Sequence, residues 1–198
     1  EMYRDYFDAE LVAAQRAMRG VLESQERRIA SLVFNATTWT GSNLTTAITH
    51  EWDDATNATP IANVEAAIQK VYDGSGLWPN ALIINRKVFR NLRQCAEIID
   101  RVKYQGFQDV RTENITTAAL AQVFDLDQII VAGGTKNTAN ENQTASLSPI
   151  WSGEYAMVCR VATSNDIKEP CIGRTFHFAE DGSMPSGMVE TYRDETKR

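Results

Sequence analysis

The segment from Thr59 to Tyr104 constrains the fold more than any other, because helical and strand-like patterning alternate within it across glycine and proline boundaries. Thr59 is placed to cap a helix and Pro60 to take its first position, where a missing N–H costs nothing. Ile61, Val64, Ile68 and Val71 then recur at helical spacing and predict one buried stripe. Gly74 and Gly76 are expected to end this helix, since glycine turns the chain at positive φ without a steric penalty. After Trp78-Pro79-Asn80 comes Ala81-Leu82-Ile83-Ile84, an apolar run short enough to be one central strand. Asn85 is the expected cap of the next helix, whose apolar residues are Val88, Phe89 and Leu92. No residue of this segment is arranged for catalysis.

The longest helical pattern covers residues 5–34, with Phe7, Leu11, Ala14, Met18, Val21, Leu22, Ile29 and Leu32 at three-to-four spacing, interrupted at Gln25. Its other face carries Arg16, Arg19, Glu23, Glu26 and Arg27. Glu23 and Arg27 stand at i,i+4 in the favourable order. Gly20 marks a bend, a close contact or a tolerated glycine, and Asn35 ends the helix. Residues 36–59 read as a loop with room for one short strand. Residues 60–132 form the α/β body, and the polar residues 133–149 read as one long exposed loop. Residues 154–161 predict a strand with Tyr155, Met157 and Cys159 on one side and Ala156, Val158 and Val161 on the other. Phe176 and Phe178 begin a tail hairpin that turns at 182–187, continues from Met188 to Tyr192, and is expected to pack beside the first helix. There is no internal repeat.

The composition excludes several functions. With 43% apolar and 23% charged residues, the 198-residue chain has enough to bury a real core in one compact domain or two small ones. A net charge of −6 gives no electrostatic case for binding nucleic acid specifically. No apolar run reaches the ~20 residues that span a bilayer, and no export signal is expected, so no membrane partner is assigned. Cys95, Cys159 and Cys171 lack Cys-x-x-Cys spacing and read as reduced, buried thiols. Asn35, Asn43, Asn57, Asn114 and Asn142 each open an Asn-x-Thr triplet, which here reflects richness in Asn and Thr rather than glycosylation.

The usual catalytic materials are sparse. His50 and His177 stand far apart and outside any ligand motif. His177, Glu180 and Asp181 read as turn residues at a hairpin end, and the carboxylates of His50-Glu51-Trp52-Asp53-Asp54 as solvated charge beside a buried Trp52. Gly133-Gly134-Thr135-Lys136 follows a strand pattern but lacks phosphate-loop spacing. Asp125 and Asp127 alternate at a strand entrance without a partner base. The sequence therefore assigns no catalytic residue, no cofactor-binding residue, no cofactor and no metal ligand.

Three ordered stretches carry a resemblance: "GLWPNALIINRKVFRNL" with "IIDRVKYQG", then "ITTAALAQVFDLDQIIVAGG", and "AMRGVLESQERRIASLVFN" at the start. Together they resemble tailed-phage and prophage major capsid proteins of the HK97-type fold, over about Met18 to Arg193. The resemblance implies an α+β fold: a long spine helix and peripheral β strands over residues 1–50 and 174–198, and a central-sheet axial domain over 51–173. It implies a structural subunit, not an enzyme, that self-assembles into pentamers and hexamers of an icosahedral capsid. Other copies of the chain would be its partners, with a scaffold or maturation protease beside them, and the virion, assembled in the host cytoplasm, its location. The family carries an N-terminal arm and a hairpin before the spine helix; both ends here look cut, so a monomer or small oligomer is expected at micromolar concentration. Arg27 and Arg28 of the helix, and a loop carrying Asp100, Arg101 and Lys103, are the expected contact residues. An encapsulin-like nanocompartment shell is the alternative within the fold. A small α/β ligand-binding or enzymatic domain using Trp78, Tyr104, Asp53 and Asp54 is the alternative outside it.

Overall fold

The computed structural model describes residues 9–41, 44–104 and 115–176. The expected first turn at residues 5–8, the tail hairpin and His177, Glu180 and Asp181 lie outside them. The body is built on a three-stranded sheet of order β2-β1-β5, with β1 (Ala81–Asn85) in the middle. Strand β2 (Gln128–Ala132) runs parallel to β1, pairing Ala81 with Gln128 and Asn85 with Ala132. Strand β5 (Ala156–Cys159) runs antiparallel on the other side, pairing Ala81 with Cys159.

Every residue of β1 is buried, because both faces of the strand are covered. Leu82 and Ile84 face helices α2 (Pro60–Ser75), α3 (Arg86–Leu92), α4 (Ala96–Tyr104) and α5 (Thr117–Val123), in a core that includes Val64, Ile68, Leu92, Ile98 and Leu120. Ala81 and Ile83 face the other way, toward Phe34, Trp151, Tyr155 and Met157. That second face is covered only in part: Ile130, across from Ile83, remains 37% exposed.

Asn80 and Asn85 fix the two ends of β1. Asn80 Oδ1 accepts from the Val161 N–H (2.7 Å), and its Nδ2 donates to the Val161 carbonyl (3.0 Å). Its backbone carbonyl accepts from Asp127 and Gln128, and its N–H donates to Cys159, so all three strands meet there. Asn85 caps α3 as expected, its Oδ1 accepting from Lys87 N (2.7 Å), while its Nδ2 donates to the Trp151 carbonyl.

Helix α1 (Ala9–Val33) stands away from this body. From Val12 to Ile29 no residue is buried, and only its C-terminal end is anchored. Phe34 meets Trp151 edge-on at 5.0 Å and Tyr155 at 6.2 Å, and Trp151 Nε1 donates to Glu26 Oε1 (2.9 Å). Gly20 sits in open space inside the helix, where an added Cβ would meet nothing within 4 Å.

Several expectations are corrected. Thr59 precedes α2 but makes no side-chain cap; Glu97 Oε2 of α4 accepts from the Ile61 N–H (3.1 Å) in its place. Gly74 continues the helix, and Gly76, at φ 68°, is the residue that ends it. Residues 133–149 are not one loop: β3 (Thr135–Asn137) pairs antiparallel with β4 (Leu147–Pro149). Residues 36–59 form turns, with no strand among the described residues. Val161 lies on the same side as Cys159, not opposite it, since the two-residue alternation of a strand places residues 155, 157, 159 and 161 on one face.

Candidate functional site

The exposed surface of α1 is the most unusual feature of the described structure. Met18, Val21, Leu22, Ile29 and Leu32 form the apolar stripe that the sequence spacing predicts, and each is exposed, Val21 at 65% and Leu32 at 61%. A helix this long with one apolar face holds that face against something in most folded proteins. Of the two arginines expected there, Arg27 is held by Glu23 at 2.6 Å, and Arg28 is exposed.

Asp100, Arg101 and Lys103 lie on α4, not in a loop. The apolar spacing Ile98, Ile99 and Val102 continues the helix through them, and Ile98 and Val102 are buried. Lys103 Nζ lies 3.4 Å from Asp100 Oδ1, while Asp100 and Arg101 border an open cleft with Ile61 and Glu97.

The acidic run before α2 is a structural turn. Asp54 accepts from the Asn57 side chain (2.8 Å) and from the N–H groups of Asn57 and Thr56 (3.1 Å each). The Asn57 side chain above all, then those N–H groups, holds its carboxyl below the usual carboxylate range. His50 Nδ1 stands 3.9 Å from Asp54, and Trp52 packs against the main core. Trp78 is exposed and meets Tyr72 edge-on at 5.2 Å, and the cleft beside α4 is lined by neither it nor Asp53 nor Asp54. Among the described residues no group of three His, Cys, Asp or Glu could hold a metal ion.

The cysteines are free. Cys95 and Cys159 are buried, and Cys171 is half-buried where full burial was expected. Burial pushes the Cys159 thiol up to about 11, which keeps it protonated and unreactive at neutral pH.

Two features were missed by the sequence reading. One is Asn80, whose side chain ties the sheet; the signal was an amide next to a central apolar run. The other is a cleft lined by Arg86, Lys87, Arg90, Asn91 and Gln94, on α3 and just beyond it. Its signal was the spacing of three cations, "NRKVFR", with no carboxylate between them.

Comparison with known proteins agrees with the resemblance read from the sequence. The chain is 22% identical, over 125 residues, to a protein named major capsid protein from Burkholderia phage BcepMu; the match takes in 63% of this chain and 39% of that protein. Its fold matches that of a phage-related protein from Bordetella bronchiseptica RB50, with a TM-score of 0.66 and 22% identity. That match covers 86% of this chain and 54% of the other, so this chain spans about half the length of that protein and less of the capsid protein. No protein-family profile matches the chain.

Proposed function

We propose that this chain is the shell-forming part of a phage or prophage major capsid protein of the HK97 type, and that it acts by self-association. The observation that carries this reading is the similarity to a major capsid protein over 63% of the chain. The shared fold with a phage-related protein supports it, and so does the apolar face that α1 presents to solvent.

In this reading residues 1–50 and 174–198 form the peripheral part, with α1 as its spine, and residues 51–173 form the axial part around β1. The stripe from Met18 to Leu32 is covered in the assembled shell, where large symmetric interfaces supply stability that no single site provides. The partners are copies of the same chain, grouped as pentamers and hexamers; the location is the virion, assembled in the host cytoplasm. The role is structural and not enzymatic. Light scattering of the product of the complete reading frame tests it. A particle of megadalton mass is expected, and a mass of one or two subunits at every concentration contradicts it.

A further inference from the structure

The sheet carries opposite charge at its two ends. Beyond the C-terminal end of β1 lie Arg86, Lys87 and Arg90, exposed and without an ion-pair partner among the described residues. Glu26, which reaches Gly134 beside this end, accepts from Trp151 Nε1 and makes no ion pair with them. At the opposite end, Asp125 and Asp127 precede β2, both exposed and without an ion-pair partner among the described residues. Asp127 N–H donates to the Asn80 carbonyl, two residues from exposed Trp78. Arg160 also lies at this end, and its Nη1 donates to the Trp78 carbonyl (2.9 Å).

The separation matters. Five strand residues span roughly 17 Å, about twice the ~8 Å screening length at physiological ionic strength. The two patches therefore do not neutralise each other within one copy.

We infer that the cationic cleft of α3 receives the Asp125–Asp127 end of a second copy, with Trp78 beside it as a surface over which an arginine can stack. The inference rests on the proposed shell-forming role and specifies one contact within it. The complementarity runs from one end of the sheet to the other, so the contact is head-to-tail. A head-to-tail contact closes into a ring or extends as a filament, and does not stop at a symmetric dimer. Exposed charge pairs contribute little individually, so between two free copies the contact is weak, and it is strengthened only when a ring makes several at once.

Sedimentation velocity on the 198-residue chain, with two charge variants, tests this. The cleft variant carries Arg86→Glu and Arg90→Glu. The acidic-end variant carries Asp125→Asn and Asp127→Lys; asparagine is chosen because Asp125 sits at φ 53°, which Asn tolerates. All four positions are exposed, and an unchanged thermal melt shows that folding is intact. The wild type is expected to associate reversibly up to about 1 mM, and less as salt rises. Either variant alone loses affinity by at least about tenfold, since like charges then face each other. Mixing the two variants restores association, because each supplies the end that the other lacks.

Restored association in the mixture supports the contact even where the complete protein forms no shell. Association that is unchanged in both variants overturns the contact and leaves the shell reading standing. Absence of any association in the wild type overturns it too, as does cleft-dependent binding of a short DNA duplex without self-association.

Discussion

Replacing Asn80 by alanine removes a side chain that joins the start of the central strand to the segment leaving β5. The side chain is 5% exposed and makes two hydrogen bonds, both to the backbone of Val161, at 2.7 and 3.0 Å. The substitution leaves the Val161 N–H and carbonyl without partners. Each orphaned group costs about 1–3 kcal/mol when buried. Val161 is half-buried, so water recovers part of that, and the expected loss is about 2–3 kcal/mol. With a urea m-value of ~2 kcal/mol/M, the midpoint falls by about 1–1.5 M. Asn80→Asp separates the hydrogen-bonding argument from one of volume. The acid keeps an oxygen for the Val161 N–H but sets its second oxygen against the Val161 carbonyl. Its folded-state pKa is then raised above the unfolded value of ~3.9. The protonated acid can donate to that carbonyl, so this variant is close to wild type at low pH and loses stability as pH rises through the folded pKa. The assay is urea unfolding followed by tryptophan fluorescence at pH 4 and pH 8. A cost for Asn80→Ala below ~0.5 kcal/mol, within the range of surface substitutions, or an Asp variant insensitive to pH, refutes the reasoning.

Leu92 is fully buried among the helices, so Leu92→Ala is expected to cost about 2–5 kcal/mol by the same denaturation, and a cost below 1 contradicts the core assignment. Glu169 accepts from the N–H and hydroxyl groups of Thr163 and Ser164. The Thr163 N–H leads these bonds in lowering its carboxyl from 4.5 to about 2. The clamp is therefore complete above about pH 4.5 and released as pH falls toward 2. NMR should show the Thr163 and Ser164 amides titrating near 2, and a midpoint near 4.5 would be inconsistent with the clamp. Leu22→Glu on the exposed face of α1 is expected to leave unfolding within ~0.5 kcal/mol of wild type while cutting particle yield from the complete reading frame. Undiminished yield removes the role given to that face.

What could be read from the sequence followed from local causes. The apolar run of β1, the cap at Asn85 and the left-handed turn at Gly76 each depend on a few neighbouring residues, and each forms. What could not be read depended on distant partners. Thr59 has the chemistry of a cap, yet the Ile61 N–H in the first turn of α2 is satisfied by Glu97, thirty-six residues beyond Ile61, and nothing in the local pattern announces that pairing. The hairpin of β3 and β4 was hidden because its strands are polar and exposed; Asn137 Oδ1 closes it by accepting from the N–H groups of Ala139 and Ser146. The charged residues of α4 read as a loop because they stand on the outer side of a short helix whose pattern shows only in the buried Ile98 and Val102. The stripe of α1 was legible as a stripe; its exposure was not, because spacing says which residues share a face and not what covers it.

Electron microscopy of the product of the complete reading frame, expressed with its neighbouring genes and negatively stained, tests the central claim most directly. The account predicts closed shells, or rings of five or six copies. A uniform field of small, discrete particles, with no ring or shell at any concentration, contradicts it.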